Sequence, residues 1–134
     1  DRSNAVAILP TGAVEAHGPH MPIGTDVVIA EAMARECADR LSADGYTAFI
    51  LPPLWYSAAH FAHTFPGTVG VDASTVSDLI RQIATSLRKQ EVTTLAIANA
   101  HLDPAHIGSL RDVVADPPVG ARVGCCWGPP WSGG

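Results

Sequence analysis

The sequence lacks several features that mark particular classes of protein. No uninterrupted apolar run approaches the roughly 18 residues of a membrane span, and the start, Asp1-Arg2-Ser3, has no signal-peptide pattern. The chain has no cluster of basic residues either, since 8 lysines and arginines stand against 13 acidic residues and the formal charge is −5. These absences argue against nucleic-acid partners and against binding to an anionic membrane.

Cysteine is also scarce. The 3 cysteines are Cys37, inside a predicted helix, and the adjacent Cys125 and Cys126. This arrangement predicts no disulfide framework and favours a reducing, cytoplasmic location. The length of 134 residues and the hydrophobic content of 47% predict one globular domain or part of one.

Short apolar runs alternate with helical patterns along the chain. Strands are predicted at residues 4–9, 47–51, 94–98 and 121–125, and helices at 26–41, 75–89 and 104–114. This order is typical of right-handed βαβ units around a mostly parallel sheet, and it predicts an α/β fold. The domain is expected to occupy residues 1–116, followed by a Pro/Gly-rich tail at 117–134 that shows no periodicity.

Three local patterns make specific predictions about the helices. In the first helix the residues that recur every four positions, and are expected to face the core, are Ile29, Met33, Cys37 and Leu41. In the second, Thr75 and Asp78 resemble a capping box. In the third, Pro104 suits the first helical turn, with Asp103 before it as the N-cap.

Polar side chains concentrate in the loop after the first strand. Glu15 and His17 are two residues apart, so in an extended segment they point to the same side. Asp26 follows where the first helix should begin. One imidazole and two carboxylates suit Zn, Mn or another borderline divalent ion. The alternative is that Asp26 only caps the helix and that Glu15 and His17 form a hydrogen-bonded loop pair.

A second polar set, His101 and Asp103, follows the third predicted strand. Ligands of open α/β sheets bind outside the carboxyl ends of the strands. Both polar sets are therefore expected at the same edge of the sheet, which strengthens the prediction of a metal-dependent site. Asp103 keeps its alternative role as a helix cap.

The connection at residues 54–68 is long for a compact domain and is typical of a lid or binding loop. It carries aromatic side chains together with His60 and His63. Two interpretations stand side by side. These rings line a substrate pocket, or the aromatic rings pack as a small core while the histidines are exposed to solvent.

Three ordered motifs resemble those of the creatininase (creatinine amidohydrolase) family. Residues 15–26 match a family motif similar to Glu-x-His-Gly-Pro-His-x-Pro-x-x-Thr-Asp position for position. Residues 65–68 read Phe-Pro-Gly-Thr, and residues 99–101, Asn-Ala-His, resemble the family's Asn-Gly-His. The resemblance spans residues 4 to about 115, and the chain is identified as a member of this family or as a truncated one.

The resemblance implies a three-layer α/β/α fold, incomplete at the C-terminus, with two divalent ions, Zn or Mn. One ion would bind Glu15 and His101, the other His17 and Asp103, and Asp26 would bridge both. A hydroxide shared by the metals would attack an amide carbonyl. The implied partners are a small-molecule amide substrate and further copies of the chain, as a homo-oligomer.

Several positions depart from the family pattern or extend it. Ala100 replaces the usual Gly, and Asp103 is shorter than the expected Glu. The sequence holds no counterpart of a later family segment that resembles His-Ala-Gly-Glu and supplies a proton shuttle, so His60 and His63 become the candidates for proton transfer or substrate contact.

Asn99 and His20 are further candidates, in this case to orient the metal ligands. The alternative is that each only satisfies backbone groups of its own loop.

Three hypotheses of function follow. The first is a metal-dependent amidohydrolase that cleaves a C–N bond in a cyclic amide, a formamide or a modified peptide. The second is a noncatalytic or weakly active metal-binding domain. The third is a plain α/β domain whose polar loops are caps and hydrogen-bonded turns.

Overall fold

The computed structural model describes residues 2–126. Strands and helices alternate as β1 (Ala5–Thr11), α1 (Thr25–Ala43), β2 (Thr47–Ile50), α2 (Ala73–Arg88), β3 (Thr94–Asn99), α3 (Pro104–Ala115) and β4 (Arg122–Cys125). The strands form one parallel sheet in the order β2-β1-β3-β4. The predicted α/β class and the order of elements are confirmed. The predicted tail beyond residue 126 lies outside the described residues, and the domain boundary at 116 stays a prediction.

The sheet has a hydrophobic core on each face because side chains of β1 and β3 alternate between its two sides. Odd-numbered residues of β1 pack with α2 and α3, in a cluster that includes Ile80, Leu95 and Leu110. Even-numbered residues pack against α1, where Ala34, Ala96 and Ala98 keep the layers close. The result is the expected three-layer arrangement.

The predicted core face of α1 is partly wrong. The buried residues of this helix are Asp26, Val27, Ala30 and Ala34. Met33, Cys37 and Leu41 pack at the margin of the core, and Ile29 is 48% exposed. A strict four-residue repeat drifts around a helix of 3.6 residues per turn, so this stripe leaves the core face at the N-terminal end.

Strand β1 runs through Pro10, where the sequence predicted its end. The last pair between β1 and β2 is Ile8 with Ile50, whereas pairing with β3 continues to Thr11. On the β2 side of β1, the carbonyl of Pro10 accepts from the Leu54 N–H, which lies in the loop after β2. Pro10 therefore lies where β2 has ended, and its missing N–H interrupts no β1–β2 pair.

Strand β2 was predicted as buried, but it is an edge strand with exposed Phe49 and Ile50. An apolar run cannot by itself distinguish a central strand from an edge strand. The capping box of Thr75 and Asp78 is also wrong, because α2 begins earlier and its N-cap is Asp72. No helix within residues 2–126 combines the length and apolar character needed to cross a membrane.

Candidate metal centre

The candidate site lies at the carboxyl edge of the sheet, beside the ends of β1 and β3. These strands are parallel neighbours in register from Val6–Thr94 to Thr11–Asn99. The loop after β1 carries Glu15 and His17, and His101 follows β3 directly. Parallel pairing thus brings together residues more than 80 positions apart.

The start of α1 reaches this edge because Gly12 has no side chain. A Cβ on Gly12 would lie 2.6 Å from the backbone nitrogen of Val27. The close approach places Asp26, in the first turn of the helix, against the loop residues.

Four of the predicted ligands meet around Asp26. Its Oδ1 lies 3.0 Å from Nε2 of His17, and its Oδ2 lies 2.9 Å from Nδ1 of His101. Oε1 of Glu15 lies 3.6 Å from the same His17 nitrogen and 3.2 Å from the same His101 nitrogen. Asp26 therefore stands between the two imidazoles, with one carboxylate oxygen towards each.

Both imidazoles are oriented by backbone carbonyls. Nδ1 of His17 is 3.0 Å from the Glu15 carbonyl oxygen, and Nε2 of His101 is 2.7 Å from the Ala58 carbonyl oxygen. A carbonyl can only accept, so these nitrogens carry the protons in the neutral rings. The opposite nitrogens, which face the carboxylates, then present lone pairs, as in histidines that bind metals.

Two buried atoms of the cluster lack a hydrogen-bond partner among residues 2–126: Oδ2 of Asp26 and Nδ1 of His101. They are 2.9 Å apart, but their alignment does not form a hydrogen bond. The residues are only 5% and 2% exposed. A divalent cation would satisfy both, and the nitrogen and oxygen donors suit Zn or Mn.

Burial and the short distances between the four side chains shift their pKa values. Burial raises the pKa of Glu15 above its ordinary value, and neighbouring Asp26 adds to the effect. Burial alone would also raise the pKa of Asp26, but the close approach of His101 and His17 lowers it. The pKa values of both histidines are raised, because nearby Asp26 and the carbonyl contacts outweigh the opposite effect of burial. The site therefore favours positive charge between its carboxylates.

The Phe-Pro-Gly-Thr motif supports the loop that carries Glu15 and His17. The Oγ1 of Thr68 accepts from the Ala16 N–H at 3.1 Å, and the N–H of Val69 donates to the Val14 carbonyl at 2.9 Å. Gly67 has a φ of +95°, a conformation that other residues rarely adopt. This motif thus fixes the position of the loop.

Asp103 makes contacts of a different kind. Its Oδ1 accepts from the Ala105 N–H and its Oδ2 from the Phe61 N–H, each at 2.9 Å. Burial opposes ionisation, but the N–H groups of Phe61, Ala105 and His60 lower the pKa of Asp103 below its ordinary value. The predicted helix cap is confirmed. Its role as a metal ligand stays a prediction.

The predicted catalytic histidines lie outside the cluster. His60 and His63 are exposed, and Nδ1 of His63 contacts the carbonyl of His60. Within residues 2–126, no hydrogen bond or ion pair joins either ring to the four clustered side chains. Their role in proton transfer or substrate contact stays a prediction. His20 is also exposed.

The aromatic side chains of the long loop do not form the small core offered as an alternative. The exposed rings, with Phe61 the most exposed at 77%, are Trp55, Tyr56, Phe61 and Phe65. A cavity of about 540 Å³ opens beside the Glu15–His17 loop, with Ala16, Pro19, Phe65 and Pro66 in its lining. The long loop thus borders an open, mostly apolar cleft beside the segment that carries Glu15 and His17.

Sequence reasoning missed His106, which is fully buried on α3. Its Nε2 lies 2.9 Å from Oδ1 of Asn99, the atom that also accepts from the Thr11 hydroxyl at 2.9 Å. Burial lowers the pKa of His106 to about 4, with His101 adding to the effect. The sequence could have indicated its burial, because His106 lies at helical spacing from Leu110 and Val113 on the buried face of this helix.

Comparisons with known proteins agree with the geometry. The creatininase family model, described as creatinine amidohydrolase, matches residues 1–119. Creatinine amidohydrolase of Pseudomonas putida is 29% identical over 105 residues, which cover 75% of this chain and 38% of that protein. Mycofactocin precursor peptide peptidase of Mycolicibacterium smegmatis is 31% identical over 97 residues, which cover 72% and 39%.

A solved structure of a mutant creatininase, described as of the Zn–Zn type, matches with a TM-score of 0.70 and 25% identity. The match covers 91% of this chain and 50% of that one. The chain spans about two fifths of the length of the two curated relatives. On the family match, which extends over most of its length, the chain belongs to the creatininase family.

Proposed function

We propose that this protein is a metal-dependent amidohydrolase that cleaves a C–N bond in a cyclic amide, a formamide or a modified peptide. The observation that carries the proposal is the pair of buried, unsatisfied atoms, Oδ2 of Asp26 and Nδ1 of His101. They lie among donors whose orientation suits a divalent cation. A bound metal would supply Lewis acidity towards the amide carbonyl and would lower the pKa of a water molecule.

We propose two ions, Zn or Mn, with Asp26 between them. Glu15 and His101 would hold one ion, and His17 and Asp103 the other. The two oxygens of Asp26 support this division, since each faces a different imidazole. The relative described as of the Zn–Zn type supports it further. Asp103 can take part while capping α3, because a carboxylate oxygen has more than one lone pair.

Residues of this chain would hold the site in place and handle the proton. Thr68 and the backbone of the Ala58 region orient the loop and the His101 ring. Amide cleavage also needs a proton on the leaving nitrogen. His60 and His63 are the proposed donors, since the N–H of Phe61 between them is bonded to the proposed ligand Asp103 and the carbonyl of Ala58 on the same loop contacts His101.

The substrate class rests on the relatives, whose names refer to creatinine and to a precursor peptide. Both names imply C–N bond cleavage. The mostly apolar cleft beside Phe65 and Pro66 is the proposed entry for the substrate.

The second candidate function is a noncatalytic or weakly active metal-binding domain. The exposed rings of His60 and His63, which are not bonded to the cluster, favour it. Association of copies into a homo-oligomer is part of both proposals. The exposed Phe49 and Ile50 of edge strand β2 support it, because apolar edge strands favour pairing.

Metal analysis and hydrolysis assays separate these functions. The purified chain is loaded with Zn²⁺ or Mn²⁺, its metal content is measured, and it is assayed on creatinine, small formamides and short peptide amides. Bound metal with hydrolysis that disappears in Asp26→Asn supports the amidohydrolase. Bound metal with no turnover favours the second function, and a chain that binds no metal contradicts both.

A further inference from the structure

The side-chain oxygen of Asn99 is the centre of a buried hydrogen-bond network next to His101, one of the proposed metal ligands. It accepts from the Thr11 hydroxyl at 2.9 Å, from Nε2 of His106 at 2.9 Å and from the His101 N–H at 3.2 Å. The Asn99 amide nitrogen donates to the His101 carbonyl at 2.8 Å. Asn99 therefore binds both backbone groups of His101 with one planar group.

This pattern determines the orientation of each partner. The oxygen of a carboxamide can only accept, so His106 must present a proton on Nε2, and Thr11 must donate its hydroxyl hydrogen. Rotation of the Asn99 amide by 180° would place its NH₂ group against the His101 N–H and its oxygen against the His101 carbonyl, so the backbone of His101 determines which way the amide faces. The Nε2–H of His106 and the Thr11 hydroxyl then hold the amide oxygen in place.

Within residues 2–126, the ring of His106 has no other polar contact that would explain a histidine at this position. It is fully buried, and its Nδ1 has no hydrogen-bond partner among residues 2–126. Its ring lies 5.0 Å from the His101 ring, measured between centroids. A leucine would fill similar volume in the buried stripe of α3 without a polar atom. Within the described part of the chain, the His106 ring makes one hydrogen bond, and its partner is Asn99.

We propose that His106 is a positioning residue of the metal centre. Its Nε2–H, together with the Thr11 hydroxyl, fixes the Asn99 carboxamide. Asn99 then holds the backbone of His101 so that Nδ1 of that ring faces Glu15 and Asp26. The proposal rests on the proposed function, since it concerns the geometry of a metal ligand. Outer partners of this kind typically change metal affinity by about 10- to 100-fold.

The test compares three variants by Zn²⁺ titration against a competing chelator. His106→Leu removes the donor, and we expect its Zn²⁺ affinity to fall about tenfold or more. His106→Gln keeps an N–H donor at a similar reach, so its affinity should stay within about threefold of the wild type. Val113→Ala, in the same helix and fully buried, should lower the melting temperature but leave the affinity within about threefold.

Each alternative result has a definite meaning. Wild-type affinity in His106→Leu overturns the proposal, as does equal weakening in His106→Leu and His106→Gln. Weakening in Val113→Ala of the same size would assign the effect to stability and also overturn it. If His106→Leu does not fold, Thr11→Val decides. That variant removes the second donor with little change of shape, and we expect about threefold weaker binding or more, whereas unchanged binding overturns the proposal.

A measurement without metal keeps this proposal separate from the proposed function. If the wild type binds no metal, the proposed function fails, but hydrogen exchange of the His101 N–H still tests the network. We expect this amide to exchange faster in His106→Leu than in Val113→Ala at matched stability, because its acceptor is no longer fixed. Equal exchange in the two variants would contradict the role of His106.

Discussion

Asp26 and Asp103 both lie at the N-terminus of a helix on the carboxyl edge of the sheet, yet their carboxylates have different partners. Asp103 accepts backbone N–H groups with both oxygens, one from its own helix and one from the long loop. Asp26 faces two imidazoles instead, and one of its oxygens has no hydrogen-bond partner among residues 2–126. The comparison teaches that carboxylates at equivalent places in a fold can have different surroundings: Asp103 caps a helix through oxygens that can still bind a metal, whereas Asp26 faces the imidazoles directly.

The largest effect is expected from removing Asp26. Asp26→Ala should lower the affinity for Zn²⁺ by roughly a hundredfold or more, since it removes the carboxylate between both imidazoles. The measurement is a chelator-competition titration with metal analysis of the dialysed protein. Asp39→Ala is the matched control, because Asp39 is exposed on the same helix, and it should bind as the wild type does. Equal metal content in the two variants would contradict the account.

Metal affinity should also depend steeply on pH. The pKa values of His17 and His101 are raised in the metal-free protein, so both rings retain protons that a metal must displace. Affinity is then expected to fall as pH decreases from about 8 to about 5.5, by up to about tenfold per pH unit for each proton displaced. Titrations at constant ionic strength measure it, and a flat profile over this range would count against the assigned ligands.

Removing Asp103 should affect both stability and the second of the two proposed ions. Asp103→Ala loses the helix cap and the bond to the long loop, so the free energy of unfolding should fall by about 1–2 kcal/mol. Chemical denaturation without metal measures the loss. Asp72→Ala is the control, since Asp72 is the N-cap of α2 but makes no side-chain capping bond, and its loss should be smaller. Because Asp103 is also a proposed ligand of the second ion, bound metal should fall from two ions to one in Asp103→Ala, and two retained ions would contradict that part of the proposal.

A smaller effect is expected at Thr68, whose hydroxyl supports the loop of Glu15 and His17. Thr68→Val leaves the Ala16 N–H without its acceptor, at a cost of about 1 kcal/mol in stability, and metal affinity should weaken by only a few fold. Thr68→Ser keeps the hydroxyl and should retain both properties. If both variants behave alike, the hydroxyl is not what holds the loop.

The sequence was informative where residues near in the chain act together. The alternation of strands and helices predicted the parallel sheet, and the carboxyl-end rule placed Glu15, His17 and His101 at one edge, where the structure has them. The cap at Asp103 followed from Pro104 and from the start of the helix. Each of these inferences needs only local pattern and one topological rule.

Features that depend on distant pairing were not predicted. The bonds of Asn99 to Thr11 and His106 join β1, β3 and α3, and no local pattern marks Thr11 as a partner of a residue 88 positions away. The edge position of β2 and the exposure of Ile29 likewise depend on neighbours supplied by the fold. The roles of His60 and His63 stay predictions for a different reason, because they depend on a substrate and not on the chain alone.

The most direct test of the account is anomalous diffraction from crystals of the protein loaded with Zn²⁺. The account predicts an anomalous peak bound by Asp26 Oδ2 and His101 Nδ1, at about 2.0–2.2 Å from each. A zinc-free cluster at saturating Zn²⁺, or a peak elsewhere on the molecule only, would contradict it.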